Sequence, residues 1–182
     1  MVSAAGWETF PLGKLVQEVE KTRDEGKYLI IHDKNGNVPT FFRYKGYECS
    51  LASEVVKAAL GRCTMDDVVE KVRSAFVCCM RSGENMLIDC GQGGVNFKDK
   101  HCNKAIIDYD VHFDFVEGRK HDNYMKNVKE EENHSVGGLN PGHYMLLDKF
   151  SASFCCSGDD EAVAEWVANI PHSDKMRKII IQ

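Results

Sequence analysis

Four side chains of types that bind metals alternate along one short segment of the chain. They are Asp108, Asp110, His112 and Asp114. Carboxylates and imidazoles are common metal ligands, and the alternation over residues 106–116 predicts a strand with all four on one exposed face. A helix is the alternative for this segment. Any half-exposed strand alternates in this way, and a lysine such as Lys104 or Lys120 would also neutralise the carboxylates. The four residues are therefore weak metal candidates, and we expect no resident metal.

The sequence contains no complete nucleotide-binding motif. A phosphate-binding loop reads Gly-x-x-x-x-Gly-Lys-Ser/Thr and follows a strand. Residues 32–40, after the first predicted strand, contain a single glycine and no Lys-Ser/Thr pair. Residues 91–94, Gly-Gln-Gly-Gly, also follow a strand but lack the third glycine of a dinucleotide fingerprint. We therefore expect no bound cofactor.

No carboxylate or thiol is marked as catalytic by its neighbours. Asp89 ends an apolar segment, where the magnesium-binding aspartate of a nucleotidase would lie, but Cys90 follows it instead of a glutamate. A strand-end aspartate more commonly caps a turn. The chain has eight cysteines, including the adjacent pairs at 78–79 and 155–156 inside apolar segments. We expect them to be buried, reduced thiols, and we expect the protein not to be an enzyme.

The composition is that of a folded protein without a nucleic-acid or membrane partner. With 182 residues, 43% hydrophobic and 28% charged, the chain is long enough for one α/β domain over residues 1–182. A net charge of −5 without a basic face argues against nucleic-acid binding. No apolar run approaches the ~20 residues that cross a bilayer, and residues 1–8 do not resemble a secretory signal. These features predict a cytoplasmic protein.

The elements that must position these residues alternate between helix and strand. Apolar periodicity and caps predict helices at 12–24, 50–60, 65–82 and 159–167. Short apolar runs predict strands at 28–31, 40–44, 86–89, 150–156 and 179–181. This alternation predicts a three-layer α/β sandwich with a mainly parallel sheet. Residues 117 to about 143 are highly polar, and we predict an insertion there, a charged helix followed by an exposed loop.

One stretch of the chain resembles a known family. Residues 28–37, followed by Thr-Phe-Phe-Arg-Tyr at 40–44, resemble the C-terminal AAA-like region of IQ-motif and ankyrin-repeat proteins, which itself looks like the AAA modules of dynein heavy chains. The resemblance implies a degenerate P-loop-type fold without a Walker A motif that has lost nucleotide hydrolysis. It also implies a setting in a ciliary or flagellar assembly. The chain departs from the pattern in having Lys34 where the family tends to have proline, and in its polar insertion.

Two hypotheses about function follow. The first is a non-catalytic scaffold or docking protein of a larger assembly, with axonemal or microtubule-associated proteins as partners. Its candidate contact residues are Phe41, Phe42, Arg43 and Tyr44, types that are favoured at interfaces, although the two phenylalanines suit a core equally well. The second is an enzyme or sensor that binds a nucleotide or small ligand at the carboxyl ends of the strands, through Asp33, Asp89 and residues 91–94.

Overall fold

The computed structural model describes residues 6–182 and contains a six-stranded sheet with helices on both faces. The strands are β1 (Glu8–Phe10), β2 (Leu29–Asp33), β3 (Tyr47–Cys49), β4 (Asn85–Asp89), β5 (Ser151–Cys156) and β6 (Arg177–Ile181). All neighbouring strands are parallel, and their order is β1-β6-β2-β5-β4-β3. Every residue of β2 and of β5 is buried, as the continuous apolar runs of a parallel sheet require. The prediction of an α/β fold with a parallel sheet is confirmed.

Helices cover the two faces of this sheet. They are α1 (Leu15–Asp24), α2 (Val38–Lys45), α3 (Leu51–Ala59), α4 (Met65–Ser82), α5 (Tyr109–His112), α6 (His121–Tyr124) and α7 (Asp160–Ala168). The apolar residues of α1 and α2 pack with Ile31 and Leu87 on one face. Those of α4 and α7 pack with Ile30, Ile88 and Phe154 on the other. Strand residues alternate between the faces, so each layer of helices has its own core.

The longest helix, α4, is capped at both ends by residues of its own sequence. The hydroxyl of Thr64 accepts a hydrogen bond from the amide of Asp67 at 3.1 Å, and the Asp67 carboxylate accepts one from the Thr64 amide at 2.8 Å. This reciprocal pair is a capping box. Gly83 ends the helix with φ at 72°, in the left-handed region that glycine adopts without strain. The predicted bounds of this helix are confirmed.

The prediction of a strand at residues 40–44 was wrong, because this segment belongs to α2. Pro39 lies in the first turn of that helix, where its fixed φ is favourable and its missing amide costs no hydrogen bond. Val38 and Phe42, four residues apart, are buried on the sheet, which is helical and not alternating spacing. The strand of this region is β3, which begins after Gly46. Neither β3 nor β1 was predicted.

The strand predicted at residues 106–116 was also wrong. The segment forms the single turn of α5 with further turns on either side, so the helical alternative holds at its centre. Asp108 caps that turn, since its carboxylate accepts a hydrogen bond from the amide of Asp110 at 3.1 Å. Local hydrogen bonds of this kind compete with strand formation.

The polar insertion is built from short turns. The charged helix predicted there is limited to α6, which is followed by 3-10 turns at Met125–Asn127, Glu130–Glu132 and Val136–Gly138. Within residues 6–182, no helix combines the length and the apolar composition that crossing a bilayer demands.

Candidate functional site

The chain crosses to opposite faces of the sheet after two neighbouring central strands, β2 and β5. The chain leaves β2 for α2 on one face, and it leaves β5 for α7 on the other. In open parallel sheets this reversal leaves a crevice at the carboxyl ends of the strands, and ligands bind there. The candidate site therefore consists of the segments after β2, β4 and β5, at residues 32–38, 89–94 and 156–160. We call these segments the carboxyl edge.

Asp33, the last residue of β2, is turned into the protein and bonded to the start of α2. Its side chain is fully buried, and its carboxylate accepts hydrogen bonds from the amides of Val38 at 2.8 Å and Asn35 at 3.3 Å. Val38 is the first residue of α2. A helix N-terminus presents free amides and partial positive charge, and this is where phosphate groups bind in nucleotide-binding proteins. A carboxylate of the chain itself therefore fills the anion position of this helix.

Direct contacts cross the crevice between β2 and β5. The buried ring of His32 donates a hydrogen bond from Nε2 to the carbonyl of Gly158 at 2.9 Å. Burial lowers the pKa of His32 and keeps the ring neutral, although the bond to Gly158 opposes this shift. Asp160 lies 3.7 Å from Nδ1 and forms an ion pair of 2.5 Å with Lys34. The segments that follow the two strands are thus joined to each other.

The segments after β4 and β5 are joined in the same way. The hydroxyl and the amide of Ser157 both donate to the carbonyl of Gly91, at 3.1 and 2.7 Å. The carboxylate of Asp89 accepts a hydrogen bond from the Gly91 amide at 2.9 Å. Burial raises the pKa of Asp89, with the bond from Gly91 acting against the shift. Asp89 is thus a turn residue.

Two glycines of the carboxyl edge are required by close packing. A Cβ at Gly158 would lie 2.8 Å from the carbonyl oxygen of Gln92 and 2.9 Å from the Cβ of Ala162. Gly93 has φ at 93°, and a Cβ there would lie 3.2 Å from the carbonyl oxygen of Ala162 and 3.4 Å from the Cβ of Trp166. Gly93 therefore allows the loop at residues 91–94 to pack against α7, and this packing accounts for that glycine without a phosphate.

The four metal candidates do not meet at one point. Asp110 forms an ion pair with Lys104 at 2.6 Å, and Lys104 lies 3.7 Å from Asp108. Asp114 forms an ion pair with Lys175 at 2.6 Å. His112 is buried, and its Nε2 accepts a hydrogen bond from the side-chain amide of Asn127 at 2.5 Å. Among the described residues, no group of three or more His, Cys, Asp or Glu side chains is placed to hold a metal ion.

The cysteine thiols are mostly buried. Cys49, Cys79, Cys90, Cys155 and Cys156 lie in the core, and Cys63, Cys78 and Cys102 are half-buried. Burial raises the pKa of the Cys49 thiol to about 12, and it also raises the pKa of the other four core thiols. These groups remain protonated at neutral pH, and the thiolate is the form that acts as a nucleophile.

The four predicted interaction residues differ in exposure because they lie on a helix. Phe42 is buried, and Phe41 is half-buried with its ring 6.2 Å from that of Phe42. Arg43 forms an ion pair with Glu48 of β3. Tyr44 is 83% exposed and is the member of the set whose side chain is fully available to a partner.

Sequence reasoning missed three residues of the carboxyl edge. It selected Asp33 and Asp89 but not His32, Lys34 or Asp160. The signal was present as His-Asp-Lys at the end of an apolar strand and an acidic pair at the start of a helix. That these groups meet depends on β2 and β5 being neighbours, which the spacing of the strands along the chain does not reveal.

Protonation of buried His112 is expected to make stability depend on pH. Burial lowers its pKa from 6.5 to about 4. Between these values the unfolded chain binds a proton that the folded chain does not, so stability is complete above pH 6.5 and falls as the pH is lowered to about 4. Urea unfolding should show a loss of about 2 kcal/mol from this residue between about pH 6.5 and pH 5.

The variant H112Q removes the titrating group from this position. Its stability should fall less steeply over the same range, and the remaining slope belongs to His32 and His101, whose pKa values burial also lowers. An unchanged slope in H112Q would show that His112 is accessible to protons in the folded state.

The fold and the carboxyl edge together define an α/β protein with an all-parallel sheet whose switch-point crevice is bridged by its own side chains. We found no match to the chain among models of protein families, among curated proteins or among solved structures.

Proposed function

We propose that this protein is a non-catalytic docking module of a larger assembly. The observation that carries the proposal is the buried carboxylate of Asp33 at the N-terminus of α2. A nucleotide bound there would place a phosphate against the same amides, and it would have to displace a negative charge that is already bonded to them. The ion pair and hydrogen bonds across the crevice support the same conclusion, because they use the groups that would otherwise face a ligand.

We infer further that the domain is a degenerate P-loop-type fold. A central parallel strand leads through a loop directly into a helix, which is the arrangement that a P-loop requires. Here Lys34–Asn37 alone joins β2 to α2, and one glycine lies in it. A segment of this length cannot wrap around two phosphates as the longer glycine-rich loop does. The strand arrangement and the sequence resemblance at residues 28–44 support the same fold.

The setting proposed from that resemblance is the axoneme of a cilium or flagellum, reached through the cytoplasm. The partners would be axonemal or microtubule-associated proteins. Affinity purification of the tagged protein from ciliated cells, with and without ATP, tests the setting. Stoichiometric recovery of axonemal proteins in both conditions is the expected result. Recovery of the protein alone, or of partners only without ATP, would contradict the proposal of a docking role that is independent of nucleotide.

A second candidate function is supported by one feature next to the carboxyl edge. A polar groove of about 300 Å³ lies between the Gly91–Gly94 loop and α7. Gln92, Lys100, Glu165 and Asn169 line it with side chains that can form hydrogen bonds. A small polar ligand bound there would make the protein a sensor, and it would use neither Asp33 nor the start of α2.

A nucleotide-binding measurement separates the two functions. We expect the melting temperature of the purified protein to be the same with magnesium ATP, magnesium GTP or magnesium chloride alone. A ligand at 100 times its Kd would add about 2.7 kcal/mol to the free energy of unfolding, so binding would be visible. A P-loop nucleotidase treated identically serves as the positive control. Stabilisation by a nucleotide would overturn the docking proposal. If K100A were no longer stabilised by that nucleotide, the ligand would be located in the polar groove.

A further inference from the structure

Helix α3 exposes an apolar stripe to solvent. Leu51 is its only fully buried residue. Val56 is 57% exposed and Leu60, just after the helix, is 63% exposed, while Ala52 is half-buried. These three residues are spaced four apart, so they form one row along the helix. An amphipathic helix normally turns its apolar row to the core, and an exposed row of this kind marks an interaction surface.

An apolar groove runs beside this row. Ala52, Val55 and Val56 form one wall, Gly94 and Val95 form the other, and the volume between them is about 220 Å³. We call these five residues and Leu60 the α3 groove. A ridge of small and branched side chains next to a groove is the surface against which a second helix packs. The part of the chain that the structure describes places no helix there.

Cations lie on helix α3, next to it and just after its end. Lys57 and Lys71 both bind the carboxylate of Glu54, at 2.9 and 2.5 Å, and that carboxylate side chain is only 12% exposed. Arg62 is exposed, and within residues 6–182 its guanidinium has no ion-pair partner. Between residues 51 and 63, the charged residues are therefore the covered Glu54 and the cations Lys57 and Arg62, although the whole chain has a net charge of −5. Negative charge on a partner would therefore favour its binding to this surface.

We propose that the α3 groove binds an acidic amphipathic helix of a partner protein. Leucine-like residues of that helix would pack on Ala52, Val56 and Leu60, and its carboxylates would face Lys57, Lys71 and Arg62. This is the helix-in-groove form of peptide recognition. The proposal rests on the docking function and names the chemistry of its partner. A second copy of the chain is disfavoured as occupant, because the acidic helix α7 turns Val163, Trp166 and Val167 into the core.

A pair of designed peptides tests the proposal on the full-length protein. The first is a fluorescein-labelled helix of about 18 residues, long enough to be helical in water, with leucine at i, i+4, i+7 and i+11 and glutamate on its flanks. The second has lysine in place of every glutamate. Fluorescence anisotropy should show saturable binding of the acidic peptide and at least about tenfold weaker binding of the basic one. Equal binding of both peptides, or binding of neither, would overturn the proposal.

Two variants locate the binding in the α3 groove. V56E places a charge in the middle of the row, and G94L fills the groove, since a Cβ at Gly94 meets nothing within 4 Å. Both positions are open to solvent, so the fold should be retained, which circular dichroism would verify. Each variant should bind the acidic peptide about tenfold or more weakly than the wild-type protein does. V116E is the matched control, because Val116 is 63% exposed, as Leu60 is, and lies outside the groove.

The outcomes separate this inference from the docking function itself. If V56E and G94L bind the acidic peptide as tightly as V116E does, the α3 groove is not the site. If sedimentation shows a dimer that V56E dissociates, a second copy occupies the groove and the proposed partner is wrong. Neither result bears on nucleotide binding, which the melting measurements test independently. Stabilisation by ATP would in turn overturn the docking function while leaving the peptide result as measured.

Discussion

Replacing Asp33 by alanine should lower the free energy of unfolding by about 2–3 kcal/mol, a large effect for one polar side chain. The carboxylate is fully buried and accepts hydrogen bonds from Val38 and Asn35. Alanine would leave the Val38 amide buried without an acceptor, and the positive end of α2 would lose its counter-charge. Urea unfolding at neutral pH measures the loss.

Two further variants show which property of Asp33 matters. D33N keeps an oxygen that can accept the Val38 hydrogen bond but removes the charge, so we expect it to be more stable than D33A. D160A changes an exposed carboxylate on the same edge, and its effect should be much smaller than that of D33A. A loss in D33A no greater than that in D160A would contradict the structural role given to Asp33.

Addition of phosphate to D33A tests whether Asp33 stands where a ligand anion would bind. The vacated helix N-terminus is expected to accept inorganic phosphate, so phosphate should stabilise D33A more than it stabilises the wild-type protein at equal ionic strength. The wild-type protein controls for the general stabilising effect of this salt. Equal stabilisation of the two proteins would mean that the start of α2 is not an anion site.

The sequence was informative where local chemistry determines the structure. Thr64 and Gly83 bound α4 as predicted, and the continuous apolar runs of β2, β4 and β5 identified buried parallel strands. The sequence was misleading where a short segment fits both the period of a strand and that of a helix. Residues 40–44 contain aromatic and branched side chains that suit a strand. Pro39 in the first turn and the burial of Phe42 in the cluster with Ile31 and Leu87 favour the helix instead.

The sequence predicted the position of the candidate site, but not that its carboxylates are bonded to the chain's own backbone. The carboxyl ends of parallel strands are where ligands bind, and Asp33 and Asp89 were selected there for that reason. For Asp33, the bond to the start of α2 depends on the length of the loop that follows β2. With only Lys34–Asn37 between β2 and α2, the start of the helix comes close enough to bond Asp33. This distance is a property of the folded chain and not of any motif.

The largest effect outside the carboxyl edge is expected at Arg73, which joins α4 to the polar insertion. Arg73 is 3% exposed. Its guanidinium forms bonds of 2.7 Å with Glu70 and of 2.7 and 2.8 Å with Glu132, and it donates to the carbonyl of Asn127. R73M leaves Glu132 without the cation it pairs with and leaves Glu70 with Lys129 alone, and we expect a loss of about 2–3 kcal/mol. That figure is at the low end for buried pairs because both glutamates are partly exposed.

The pH dependence of this loss identifies its origin. The bonds to Arg73 lower the pKa of Glu70 from 4.5 to about 2 and also lower that of Glu132. A depressed carboxylate pKa stabilises the fold above pH 4.5, and this contribution disappears as the pH falls to about 2. The wild-type protein should therefore approach R73M in stability over this range, which lies below most of the range in which His112 titrates.

Hydrogen exchange of R73M shows where the structure opens. Amides of residues 125–133 should exchange faster than in the wild-type protein, while those of β2 and β5 keep their protection. K57M, which removes an exposed partner of Glu54, is the matched control and should change stability by less than about 0.5 kcal/mol. Uniformly faster exchange would show that Arg73 supports the whole fold and does not specifically attach the insertion. Selective opening would mean that Arg73 is a main attachment of this charged segment to α4, in addition to the bonds from Lys129 to Glu70 and from Arg81 to the carbonyl of Glu132.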